Sequence, residues 1–177
     1  LEATKSIFLV TNGQEPDMIQ KLQDEDALPT QLYLSTNAAD YESFIKINKP
    51  KYDDSWERWN RTLDMLKNLD TRTVLRITLI RDYNDQKEMI PAFADMFRKA
   101  SPHFIEIKSY MHIGRSTNRL EHENMLEMHE VKKFSEQIAK QSKIFSVMDE
   151  SLVSRISILQ NNERFIDRYI PTYANTN

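Results

Sequence analysis

Three charged residues stand inside runs of apolar residues, where an ionised side chain is uncommon. Arg76 lies within VLRITL, and Glu106 and Lys108 lie two positions apart within FIEIK. Side chains two positions apart in a strand share one face of a sheet, so Glu106 and Lys108 are expected to point the same way. A charge on an inner face is costly unless it is paired or used, and in a barrel that face points into the cavity where a ligand binds. On an outer face the same charges would be solvated or paired with helices, and the pattern leaves both interpretations open.

Residue counts exclude several other kinds of catalytic site. The chain has no cysteine, and its only glycines are Gly13 and Gly114. Without cysteine, this chain cannot itself provide a disulfide, a thiol nucleophile or thiolate ligands to zinc or an iron–sulfur cluster. Two distant glycines cannot form a glycine-rich phosphate loop. The four histidines lack the spacing of a helical metal site, and we predict no metal ligands in this chain.

The overall charge argues against a surface that is basic throughout. Lysine and arginine total 24 against 27 aspartates and glutamates, which gives a formal net charge of -3. Contact with RNA would therefore need a local basic patch. We find no apolar run long enough for a membrane span and no signal-peptide pattern, and expect a cytoplasmic protein without membrane contact.

Alternating strand and helix patterns are expected to position these residues. Apolar, β-branched runs predict six strands, at Ser6–Thr11, Thr30–Ser35, Thr73–Ile80, Phe104–Lys108, Lys143–Val147 and Arg155–Leu159. Helical spacing predicts helices at Asp17–Gln23, Asp54–Leu69, Gln86–Ala100 and Glu127–Gln141. This alternation predicts one α/β domain over residues 1–177 with a parallel sheet, either barrel-like or open and doubly wound.

In both kinds of parallel sheet, ligands bind at the carboxyl ends of the strands. Those ends carry polar residues at Thr11-Asn12, Ser35–Asn37, Arg81–Asn84 and Lys108–His112. Residues 115–125 form a polar stretch that we interpret as a surface loop or lid. Trp56 and Trp59 could stack on bases, but their helical spacing with leucines favours packing in the core.

Taken together and in order, the strand-end segments resemble the radical SAM tRNA wyosine synthase (4-demethylwyosine synthase) family. No short motif decides this alone; the resemblance rests on joint order and spacing through nearly the whole chain. The matching segments are FLVTNG (Phe8–Gly13), TQLYLSTNA (Thr30–Ala38), KINKP and WERWNRTL (within Lys46–Leu63), TRTVLRITLIRDYN (Thr71–Asn84), FIEIKSYMHIGRSTNRL (Phe104–Leu120), Asp149-Glu150 and Ser154-Arg155.

The resemblance implies a partial, open TIM-like β/α barrel of the radical SAM type, with parallel strands, outer helices and its N-terminal strands missing. It implies a lyase that uses S-adenosyl-L-methionine and a 4Fe-4S cluster, with cluster ligands outside this chain. The reaction joins pyruvate-derived carbons to N1-methylguanosine in tRNA(Phe) during wybutosine biosynthesis. A flavin module or a flavodoxin-type partner is the implied electron donor.

Matching positions also imply roles for individual residues. Lys108 is the first candidate for the lysine that holds pyruvate as an imine, and Lys46 is the second. The candidates for binding S-adenosylmethionine are Asn12, Ser35, Asn37 and Arg76. The candidates for binding substrate are Glu106, beside Lys108, and the possible tRNA contacts Arg115, Asn118 and Arg119.

The sequence also departs from the family pattern. Lys49 stands where arginine is usual before the proline, and Leu126-Glu127 replace a usual Pro-Ser. The cysteine motif and first barrel strands are absent, which a truncated chain or a cluster-free relative would each explain; in either case we expect the chain alone to be inactive and to leave an open sheet edge. Two alternatives stay open: a non-catalytic half-barrel that binds tRNA or a partner, and an aldolase-like lyase that forms an imine.

Overall fold

A computed structural model describes residues 4–170. It contains one six-stranded sheet with the order β1-β2-β3-β4-β6-β5. The strands are β1 (Phe8–Thr11), β2 (Gln31–Ser35), β3 (Arg72–Leu79), β4 (Phe104–Ser109), β5 (Phe145–Ser151) and β6 (Ile156–Asn161). The α-helices are α1 (Pro16–Asp24), α2 (Tyr41–Asn48), α3 (Ser55–Met65), α4 (Ile90–Ala100) and α5 (Met128–Ser142).

Strands β1 to β4 form the parallel part of the sheet. Each pairs in parallel with the next, and the connections between them contain helices, as parallel pairing requires. The prediction of a parallel sheet is wrong for the last strand, because β6 pairs antiparallel with both β4 and β5. The cause is the short connection: residues 152–155 lie between β5 and β6, which is enough for a hairpin but not for a crossover helix.

Helices cover one of the two faces of the sheet. The covered face packs against helices through a continuous apolar core. Fully buried strand residues of this face are Leu32, Leu34, Leu75, Ile77, Leu79, Ile105, Ile107 and Leu159. The alternate side chains form what we call the inner face, which includes Tyr33, Arg76, Glu106 and Lys108.

The predicted packing role of the tryptophan pair is confirmed. Trp59 is buried in the core, and Trp56 packs against the core with its ring stacked 5.3 Å from that of Trp59. The Trp59 indole Nε1 donates to the carbonyl of Ser35 at 3.1 Å, which fixes α3 against the end of β2. Neither ring therefore forms an open platform for bases.

The sheet has an open edge at β1, as expected. Phe8 and Val10 remain 49% and 44% exposed there, although such residues are usually buried. Residues 1–3 and 171–177 lie outside the described part of the chain, so the prediction of one domain over residues 1–177 stays a prediction. No helix in the described part is long and apolar enough to cross a membrane.

Candidate functional site at the carboxyl ends of the parallel strands

A row of polar side chains crosses the inner face on three adjacent strands. Ser35 is the register partner of Arg76, and Arg76 is the partner of Glu106. The Arg76 Nε lies 2.7 Å from Glu106 Oε1, and both side chains are largely buried. The guanidinium also lies over the Tyr33 ring, 4.6 Å from its centroid. Arg76 is thus held on two sides, with its Nε edge on the carboxylate and its plane near an aromatic ring.

The Arg76–Glu106 pair also affects the pKa of the Tyr33 hydroxyl. Burial raises the pKa of its hydroxyl, and the nearby Glu106 carboxylate raises it further, while Arg76 acts in the opposite direction. The phenol therefore stays protonated at neutral pH and remains able to donate a hydrogen bond. Sequence reasoning overlooked Tyr33; its alternation with Leu32 and Leu34 was the available signal for the inner face.

Lys108 lies one inner-face position nearer the carboxyl end than Glu106. Its register partners are Thr78 on β3 and Ile156 on β6, and its side chain is half-buried. Among the described residues it has no ion-pair partner. The structure thus brings Lys108, Glu106 and Arg76 together on one face, while their chemical roles stay predictions.

A cavity of about 360 Å³ opens beside this row, at the ends of β1 and β2. Three of the predicted cofactor-binding residues line it, namely Asn12, Ser35 and Asn37, whereas Arg76 lies on the next strand. Its opposite wall is the segment that joins α2 to α3, which includes Lys49, Lys51 and Tyr52. A cavity of this size is within the range that binds small molecules.

Asn37 is also a structural residue. Its Oδ1 accepts from the Thr78 backbone N–H at 3.0 Å, which ties the ends of β2 and β3 together. Asn84, another residue that sequence reasoning gave no role, completes this junction from a fully buried position. The Asn84 Nδ2 donates to the carbonyls of Asn37 and Thr78, both at 2.9 Å, and its Oδ1 accepts from Ile80 N–H at 2.7 Å.

The polar stretch after β4 is a surface segment, as predicted, but it is firmly attached. It contains two 3-10 helices, Gly114–Asn118 and His122–Asn124. Arg81 anchors its end by donating to the carbonyls of Glu123 and Met125, both at 3.0 Å, and by pairing with both Glu130 oxygens at 2.6 and 2.7 Å. The Arg81 hydrogen bond lowers the pKa of Glu130, which keeps this carboxylate charged.

The remaining predicted site residues lie on α2 and on the segment after β4, outside the inner face. Lys46 is exposed on α2, with its Nζ 4.9 Å above the centre of the Tyr83 ring. Arg119 lines a small cavity together with Lys46, whereas Arg115 and Asn118 are exposed on the first 3-10 helix. Lys46 and Lys108, the two candidate imine lysines, therefore occupy different surroundings.

Comparison with known proteins supports the resemblance. A family model described as "Wyosine base formation" matches residues 99–161. The S-adenosyl-L-methionine-dependent tRNA 4-demethylwyosine synthase of Methanocaldococcus jannaschii is 41% identical over 162 residues, which cover 90% of this chain and 48% of that protein. This chain is homologous to the C-terminal part of the tRNA 4-demethylwyosine synthases.

Solved structures agree with this homology to the 4-demethylwyosine synthases. "Structure of TYW1 with a lysine-pyruvate adduct bound" matches with a TM-score of 0.78 and 40% identity, over 90% of this chain and 48% of that one. Coproporphyrinogen III oxidase (HemN) from Escherichia coli, a radical SAM enzyme, matches with a TM-score of 0.52 and 12% identity, over 89% of this chain and 35% of that one. The latter shows the fold alone, and it agrees with the predicted partial barrel. The chain spans about half the length of the first curated relatives it matches.

Proposed function

We propose that this chain is part of an S-adenosyl-L-methionine-dependent tRNA 4-demethylwyosine synthase, a radical SAM lyase. The enzyme would join pyruvate-derived carbons to N1-methylguanosine in tRNA(Phe) during wybutosine biosynthesis. The observation that carries the proposal is the half-buried Lys108 on the inner face, next to the Arg76–Glu106 pair, in a chain 40% identical to a protein with a lysine–pyruvate adduct.

In this proposal Lys108 binds pyruvate covalently. Its neutral amine attacks the ketone carbon, a carbon–nitrogen bond forms, and the ketone oxygen leaves as water to give an imine. The Arg76 guanidinium fixes the Glu106 carboxylate on the inner face, since Arg76 Nε lies 2.7 Å from Glu106 Oε1. Lys46 is the weaker candidate, because it is exposed on α2 and its ammonium lies over Tyr83.

The same proposal places S-adenosylmethionine in the cavity at the ends of β1 and β2, whose volume of about 360 Å³ lies in the range of small-molecule sites. Asn12, Ser35 and Asn37 would bind its ribose and amino-acid group, and Arg76 would contact its carboxylate through the nitrogen not engaged by Glu106. When bound and reduced by one electron from a cluster outside this chain, S-adenosylmethionine would supply the radical that activates methylguanosine. A 4Fe-4S cluster does not fit this chain, which has no cysteine, so its ligands would lie elsewhere.

The proposal also covers the tRNA contacts, the electron donor and the cellular location. Arg115, Asn118 and Arg119 would contact tRNA, and a flavin module or flavodoxin-type partner would deliver electrons. We also propose a cytoplasmic location and a single domain for this chain. Because the cluster ligands are lacking, we expect these 177 residues alone not to convert methylguanosine tRNA.

Borohydride trapping tests the central step. Reduction with borohydride in the presence of pyruvate should add a stable pyruvate-derived mass to the chain, and Lys108→Ala should abolish it. Lys46→Ala is the matched control and should keep the label, as should a parallel sample without S-adenosylmethionine. Labelling that persists in Lys108→Ala but disappears in Lys46→Ala would overturn the assignment.

A further inference from the structure

One group of cations at the rim of the site lacks acidic partners. Within the described part of the chain some surface cations are paired, as in Arg61–Asp17 at 2.6 Å and Lys99–Asp64 at 2.7 Å, and others, such as Lys67, are not. What distinguishes the present group is that its members line one cavity. Within residues 4–170, Lys46, Lys49 and Arg119 form no ion pair. Since the chain as a whole carries a net charge of -3, this local excess of positive charge is not a reflection of composition.

These three cations line one small cavity of about 60 Å³, which we call the cationic notch. The notch has no acidic residue in its wall, and its other lining residues are Ile47, Ile80, Tyr83 and Leu120. Its volume is that of a few water molecules, a size that suits a small anionic group rather than a whole nucleotide. The Lys46 Nζ lies 4.9 Å from the centre of the Tyr83 ring, a cation–π contact that helps to hold the ammonium at the notch.

Apolar packing builds the notch before any ligand binds. Leu120 is buried against Ile47 and Ile80 in a small cluster that also contains Tyr110. This contact joins α2, which carries Lys46, to the segment after β4, which carries Arg119. Lys49 ends α2 in the left-handed conformation, with its N–H bonded to the Ile45 carbonyl, so its side chain leaves the helix at a fixed point. Folding thus brings the three charged side chains to one place, so that the binding of a ligand does not require α2 and the segment after β4 to move together.

We propose that the cationic notch binds one backbone phosphate of an RNA. This inference deepens the proposed function, since it assumes that the substrate is an RNA whose base enters the inner face. The notch adjoins the larger cavity at the ends of β1 and β2, because Lys49 lines both, so an RNA strand bound beside that cavity could place a phosphate in the notch. A phosphodiester offers two acceptor oxygens to lysine and arginine donors. The notch then acts as a positioning contact that carries no sequence preference.

The test measures binding of a fluorescein-labelled RNA stem-loop by anisotropy across a series of salt concentrations. The variant Lys46→Gln/Lys49→Gln/Arg119→Gln should bind roughly tenfold more weakly at low salt, and the slope of log affinity against log salt should fall by about 1. The control Lys67→Gln/Lys133→Gln/Lys140→Gln removes the same charge from exposed positions outside the cationic notch. It should keep both affinity and slope close to those of the unaltered chain.

Equal losses in the two triple variants would overturn the proposal, as would an unaltered chain that fails to bind the stem-loop at low salt. Unchanged thermal unfolding of both variants, expected because the substituted side chains are exposed, confirms that folding is not the cause. The stem-loop contains no methylguanosine and the assay needs no pyruvate. Failure of Lys108 trapping would therefore count against the proposed function and leave this result intact.

Discussion

Replacement of Asn84 by alanine should destabilise the chain severely, although this residue touches none of the proposed reacting groups. The side chain is fully buried and makes three hydrogen bonds to backbone groups of Ile80, Asn37 and Thr78, between 2.7 and 2.9 Å. Each such bond contributes about 1 kcal/mol net, and the backbone groups left unpaired add to the loss. We therefore expect a decrease of about 3 kcal/mol in the free energy of unfolding.

Urea unfolding followed by circular dichroism measures this loss, with Asn68→Ala as the control. Asn68 is exposed on a short 3-10 helix, so its replacement should change stability by less than about 0.5 kcal/mol. The variant Asn84→Asp is a more stringent test. It keeps an oxygen that accepts from Ile80 N–H, but it replaces the donor to the Asn37 and Thr78 carbonyls by a carboxylate oxygen, which those carbonyls repel. It should be at least as unstable as Asn84→Ala at neutral pH. A loss below about 1 kcal/mol in Asn84→Ala would refute the reasoning.

Two further predictions concern stability. Gly13 has φ +76°, and an added Cβ would lie 2.7 Å from Leu34 Cδ1, whereas Gly114 has φ +63° and open space around it. In urea unfolding Gly13→Ala should thus cost about 2 kcal/mol more than Gly114→Ala, and equal costs would contradict the overpacking argument. Burial, helped by nearby arginines, lowers the pKa of His103 from 6.5 to about 4. The unfolded state therefore takes up a proton first, and the free energy of unfolding should fall by about 3 kcal/mol as the pH drops from 6.5 to about 4. His103→Asn can still accept from Thr73 N–H and should flatten that pH dependence; a profile as steep as that of the unaltered chain would contradict the assignment.

The parallel half of the fold could be predicted from the sequence because its strands are nearly all apolar. Polar interruptions within them were informative for the same reason: an arginine among leucines and isoleucines must face something other than the core. The shared face of Glu106 and Lys108 follows from strand periodicity alone. Their closeness to Arg76 does not, since it depends on the register of β3 and β4, which sequence periodicity leaves open.

Two features of the fold were not predicted, the direction of β6 and the existence of α2, and the reasons differ. The antiparallel direction of β6 could have been predicted, since residues 152–155 are too few for a crossover connection. The alternation of strands and helices seen earlier in the chain was wrongly assumed to continue to β6. Helix α2 has only eight residues, and only Phe44 and Ile47 among them are buried, which is too little periodicity to detect. Its clearest signal was Asp40, which caps the helix by accepting from Ser43 N–H at 2.9 Å.

The helix that sequence reasoning missed is also the one that separates the two candidate lysines. Lys46 and Lys108 are the same type of residue, and a sequence motif does not show which lysine is a nucleophile and which binds an anion. Their surroundings do. Lys108 lies half-buried on the inner face, next to the Arg76–Glu106 ion pair. Lys46 lies exposed over Tyr83 beside Arg119, in a contact that only a charged ammonium makes favourable. A lysine that must lose its proton to react and a lysine that must keep it to bind phosphate are thus carried by different elements, β4 and α2, in different surroundings.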